Sequence, residues 1–97
     1  VFDRKTVNLI GHLVDITSEG VMVISENPIE VGKTFHLRMI LPKEIIGKEQ
    51  ITFDAVSKWT ARDVNPSFYD TGFEFVDTSE ENIKIITILI EDFGFND

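Results

Sequence analysis

The sequence predicts a mainly β fold, a small antiparallel barrel followed by one C-terminal α-helix. Three observations carry that expectation. Five runs alternate apolar and polar residues with the period of two required of a strand that buries one face. Clusters of Gly, Pro, Asn, Asp and Ser separate these runs. After Thr78 the apolar spacing changes to that of a helix. With 97 residues and 42% hydrophobic content, the chain has the size and apolar share of a single globular domain over residues 1–97.

The first run, Thr6 to Asp15, alternates Val7, Leu9, Gly11 and Leu13 with polar or mixed neighbours, and Gly11 is a candidate bulge. Gly20 to Ser25 is a shorter strand, joined to the first by the turn Asp15-Ile16-Thr17-Ser18-Glu19-Gly20. Asn27-Pro28 ends it, because proline has no amide to donate to a ladder. Pro28 to Gly32 is a loop with an apolar anchor. Thr34 to Leu41 then sets Phe35, Leu37, Met39 and Leu41 on one face.

Pro42 to Lys48 is expected to be a connecting loop around Gly47. In the next strand, Gln50 to Ala61, Ile51, Phe53 and Ala55 share a face, whereas Val56 and Trp59 are assigned to the other face or to a position after a bulge. Asn65-Pro66-Ser67 forms a turn before the strand Phe68 to Val76. Trp59, Phe68, Phe73 and Phe75 are expected in the core.

Thr78-Ser79-Glu80-Glu81 has the spacing of a capping box, a hydroxyl with glutamate three residues on. Ile83, Ile86, Leu89, Ile90 and Phe93 follow as an apolar stripe widened by Ile85 and Ile88, and Gly94 is the expected C-cap. Five strands leave an open edge and the chain opens on Val1, so upstream sequence from a longer polypeptide is expected.

Composition excludes several function classes. The formal net charge is −8, and the stretch from Asp70 to Asp97 holds eight acids against one lysine. Nucleic-acid binding, which depends on neutralising phosphates, is not expected from that balance. There is no cysteine, which fits a reducing cytoplasm, and no apolar run approaches the ~20 residues of a membrane span. Neither membrane insertion nor a signal peptide is expected.

Catalytic signals are weak. Gly32-Lys33-Thr34 resembles the end of a phosphate-binding loop, but Asn27 stands where that motif needs its first glycine, and a strand follows instead of a helix. His12 and His36 lie on different strands and are expected on strand surfaces, without the spacing of metal ligands. No nucleophile with a base partner and no acid/base carboxylate couple stands out. No enzyme, metal or cofactor is expected.

The turn at 15–20 is the remaining candidate. By itself it is a hairpin closure, with Asp15, Thr17 and Ser18 able to bond nearby amides. In context, Asp15-Ile16-Thr17-Ser18-Glu19-Gly20 resembles the Asp-x-Ser-x-x-Gly motif of PilZ domains, bacterial receptors for cyclic di-GMP. Pro28 to Gly32 is similar to that family's Pro-Leu-x-x-Gly, and Leu41-Pro42 to its Leu-Pro strand end. Val56-Ser57-Lys58-Trp59 resembles its Val-Val-Trp, and Tyr69 to Phe75 its Tyr-x-x-Gly-x-x-Phe strand. Thr78-Ser79-Glu80-Glu81 resembles the start of its closing helix. The likeness runs over residues 7–92.

The resemblance implies a PilZ-like β-barrel with a C-terminal helix, acting as a non-catalytic, cytoplasmic regulatory domain. It implies cyclic di-GMP as ligand, with Asp15 accepting from guanine, Thr17 or Ser18 making a polar or phosphate contact, and Gly20 letting backbone approach. The family's Arg-x-x-x-Arg segment, whose guanidinium groups fork to phosphate and stack on bases, has no counterpart here. Arg4 and Lys5 are the nearest cations, with Arg62 a further candidate. Losing two charged contacts costs ~3–6 kcal/mol, or roughly 10²–10⁴ in affinity. Two expectations follow. Either the arginines lie upstream of Val1, or this is a degenerate, nucleotide-independent interaction module of the pilus or motility type with a protein partner.

Overall fold

The computed structural model describes residues 1–4 and 8–93. Six strands precede one helix: β1 (Phe2–Asp3), β2 (His12–Ile16), β3 (Gly20–Ser25), β4 (Thr34–Ile45), β5 (Lys48–Arg62), β6 (Tyr69–Val76) and α1 (Glu80–Phe93). All pairings are antiparallel, in the order β1-β4-β5-β6-β3-β2, and the sheet curls into a half-barrel. The strand absent from the sequence expectation is β1. Two residues are too few to show a period, and only the pairing of Phe2 with Arg38 and Asp3 with Leu37 defines it.

The concave face is the core. Val21 and Val23 of β3, Leu37 and Met39 of β4, Ile51, Phe53 and Ala55 of β5 and Phe73 of β6 are buried there with Ile85, Ile86 and Leu89 of α1. Two edge-on ring pairs, Phe35 with Phe73 at 5.6 Å and Phe53 with Phe75 at 5.1 Å, knit β4, β5 and β6 together.

Several boundaries differ from expectation for local reasons. The expected loop at 42–48 is a long hairpin: β4 runs on to Ile45, and Ile46 and Gly47 close it with φ of 50° and 73°. Positive φ at both central residues is the geometry of a tight two-residue turn, which a β-branched residue before glycine conceals in the sequence. Pro42 is tolerated because the ladder is irregular between Ile40 and Ile45. At the other end β2 begins only at His12; Thr6 and Val7 of the expected strand lie outside the described residues.

The helix is capped one residue later than expected. Ser79, not Thr78, takes the amide of Asn82 on its Oγ at 3.1 Å. Asn82 then donates from Nδ2 to the Thr52 carbonyl at 2.8 Å, pinning the first turn to β5. Lys48–Glu81 at 3.6 Å and Lys43–Asp92 at 3.2 Å tie both ends of α1 to the β4–β5 hairpin. Within the apolar stripe, Ile85, Ile86 and Leu89 are buried, whereas Ile83 and Phe93 are exposed. The expected cap at Gly94 lies outside the described residues.

Candidate functional site

Two bulges decide which side chains reach the convex face. In β2, Leu13 pairs with Val23 and Asp15 with Met22, leaving Val14 as an extra residue. By strict alternation from Leu13, which packs against the core, Asp15 would point inward. The inserted residue turns it outward and returns Ile16 to the core, where it is fully buried. The bulge is thus at Val14 and not at Gly11. Gly11 is required for another reason, since a methyl there would overlap the Ile24 carbonyl and the Val23 side chain.

The same device operates in β5. Ser57 pairs with Phe73 and Trp59 with Gly72, with Lys58 extra between them. Ile51, Phe53, Ala55 and Ser57 point inward, and after the bulge Trp59 points out. The expectation of a core tryptophan is therefore corrected: Trp59 is 46% exposed and its indole stands directly over Gly72, where a methyl would overlap Nε1, Cε2 and Cζ2. Of the other aromatics expected inside, Phe73 is buried, and Phe68 and Phe75 are half-buried.

These registers align one continuous row across four strands: Trp59 on β5, Gly72 on β6, Met22 on β3 and Asp15 on β2. Glu74 and Gly20 pair in the next outward row. Together with Thr17, Glu19 and Lys58 they line an open depression of about 430 Å³.

Its rim is rigid at the turn. The Thr17 amide donates to the Gly20 carbonyl at 2.9 Å, and Thr17 Oγ1 accepts from the amides of Glu19 at 3.1 Å and Gly20 at 3.3 Å. The Glu19 carbonyl accepts from the Phe75 amide at 2.9 Å, which bolts the turn to β6. Asp15 Oδ1 accepts from the Ile16 amide at 2.9 Å, fixing the carboxylate's direction. A side chain at Gly20 would collide with the Phe73 carbonyl. The arrangement offers an acceptor (Asp15), a hydroxyl whose proton remains for donation (Thr17) and a large exposed ring (Trp59).

The sequence candidates divide accordingly. Asp15, Thr17 and Gly20 come together in the depression, while Ser18 is exposed on the turn and does not line it. Lys5 lies outside the described residues. Arg4 is held two outward rows away, donating to Asp54 Oδ1, which also lies 2.6 Å from His36 Nδ1. Arg62 lies over the Tyr69 ring at 5.3 Å and donates to the Pro66 carbonyl. Lys58, Trp59 and Glu74 are among the lining residues that sequence reasoning did not propose as ligand contacts. Trp59 keeps the parity of Ala55, so alternation alone carries no signal of the bulge that turns it outward.

Two carboxyls elsewhere are perturbed. The hydrogen bond from His36, with the charges of His36 and Arg4, holds Asp54 below the ordinary aspartate range. His12 lies on the exposed strand surface as expected, whereas His36 is half-buried in that cluster. Burial, with a hydrogen bond and repulsion from Asp63, pushes Asp70 up. No group of three metal-ligating side chains occurs among the described residues.

The PilZ domain family matches residues 2–92, nearly the whole chain. The chain belongs to the PilZ family. PilZ domains are a cyclic di-GMP receptor family and are typically non-catalytic binding domains. No curated protein and no solved structure matches the chain. No helix among the described residues is long and apolar enough to cross a membrane.

Proposed function

We propose that residues 1–97 form a single regulatory PilZ domain that binds cyclic di-GMP on its convex face, in the depression between Asp15 and Trp59. The observation that carries this reading is the register row Trp59–Gly72–Met22–Asp15. It sets an indole face and a carboxylate on opposite sides of one shallow floor, which suits a purine base. The ring offers a stacking plane, and the carboxylate accepts from the N–H groups along a guanine edge. Thr17 donates its hydroxyl proton to a ligand acceptor, and Gly20 keeps the wall low.

A second reading, a nucleotide-independent interaction module, is favoured by the charge of the depression: among the described residues, Asp15, Glu19 and Glu74 face one cation, Lys58. Isothermal titration of cyclic di-GMP into the 97-residue protein and its Asp15→Ala variant separates the two. The receptor reading expects saturable binding that weakens by ~10–100-fold in the variant, the loss of one charged hydrogen bond. Absence of binding by the folded wild-type chain refutes it for this chain and leaves the interaction module.

A further inference from the structure

We infer that Lys58 is the phosphate-contacting cation of this site and that Glu74 is a built-in competitor for it, lowering the affinity of the domain. This rests on the receptor reading above and extends it to the two charges that reading leaves unassigned.

Among the described residues no other cation lines the depression: Lys33 lies over the Phe35 ring at 5.4 Å and Lys84 is exposed on α1. Arg4 is paired with Asp54, Arg38 donates to Gln50, and Arg62 is held at Pro66 and Tyr69. Lys43 and Lys48 are paired with Asp92 and Glu81 on the helix. Lys58 is the cation that lines the depression among the described residues, and its place is set by the backbone: it is the extra residue of the β5 bulge, adjacent to Trp59. A nucleotide whose base lies on the indole brings its phosphate within reach of the neighbouring side chain.

Lys58 Nζ faces Glu74 Oε2 at 4.0 Å, the longest ion pair among the described residues, with the side chains 54% and 61% exposed. A pair so exposed contributes little, so a dianionic ligand readily displaces the carboxylate. Glu74 does not leave, however. It is fixed in the row beside Gly20, and its charge remains beside any phosphate bound to Lys58. The site therefore works against its own counterion.

The test is equilibrium binding of cyclic di-GMP to the wild type, Glu74→Gln, Lys58→Gln and Lys58→Arg at two salt concentrations, with circular dichroism to confirm folding. Glu74→Gln should tighten binding roughly three- to fivefold, as expected for removing one like charge at a water-exposed site. Lys58→Gln should weaken it by ~10–100-fold and flatten the salt dependence, and Lys58→Arg should restore both. If the wild type binds and Glu74→Gln does not tighten, or Lys58→Gln binds as well as the wild type, the inference is overturned and the receptor reading survives. If neither the wild type nor Glu74→Gln binds, both fall together.

Discussion

Substituting Gly72 by alanine tests whether the Trp59 indole rests where the row places it. The new methyl would occupy the space of Nε1, Cε2 and Cζ2, so the ring must lift off the sheet. Trp59 is 46% exposed, so slightly over half of its surface is covered, on the order of 100 Å² for a tryptophan. At about 25 cal/mol per Å², complete undocking would cost ~2.5 kcal/mol. One methyl forces partial displacement, about 1–1.5 kcal/mol, which corresponds to a fall in melting temperature of roughly 5–10 °C for a domain this size. The chain has a single tryptophan, so its fluorescence reports this ring alone, and the emission maximum should move to longer wavelength. Cyclic di-GMP affinity should fall roughly 5–150-fold as the stacking plane is lost. In a Trp59→Ala background, Gly72→Ala should cost almost nothing, because the collision has been removed. Unchanged emission and melting in Gly72→Ala would refute the placement of the ring.

Three further outcomes are expected. Gly20→Ala should destabilise by more than about 2 kcal/mol in urea unfolding, since the added methyl meets the Phe73 backbone carbonyl, which cannot rotate away. Asp54→Asn should lower the melting temperature slightly at pH 7. Because the folded carboxyl titrates below its ordinary value, the stabilisation is present above about pH 4 and lost as pH falls through the depressed value. Melting curves of the two proteins should therefore converge in strong acid. Asp70→Asn should act in the opposite sense. The raised carboxyl favours folding while protonated and loses that advantage as pH rises, so the variant should melt higher than the wild type at pH 7 and lose its lead below about pH 4.

The inward faces were legible in the sequence because alternation alone sets them. Phe35, Leu37, Met39 and Leu41 on β4, and Ile51, Phe53 and Ala55 on β5, fall on one side as their spacing predicts. The Asp15–Gly20 turn was legible through its hydroxyl and glycine chemistry. Three features were hidden. The Ile46–Gly47 hairpin carries a β-branched residue where asparagine or aspartate would signal a tight turn. β1 exists only through its partner. The outward placement of Trp59 depends on one unpaired residue at Lys58, and an aromatic spaced by two from inward residues is read as core unless the bulge is known. The site was half-visible for that reason: its β2 side is a local motif, while its β5 side is a matter of ladder register.

The two central strands of the row, β3 and β6, pair without interruption, which gives mutagenesis a numerical rule. On both, even-numbered positions (Gly20, Met22, Gly72 and Glu74) face the depression, and odd-numbered ones (Val21, Val23, Thr71 and Phe73) face the core. A single thickness of backbone divides the depression from the core. Substitutions at Met22 and Glu74 should then register in ligand affinity and those at Val21, Val23, Thr71 and Phe73 in unfolding temperature, whereas Gly20 and Gly72, where an added methyl meets the Phe73 carbonyl or the Trp59 ring, should register in both. On β2 and β5 the same rule skips a beat at Val14 and Lys58.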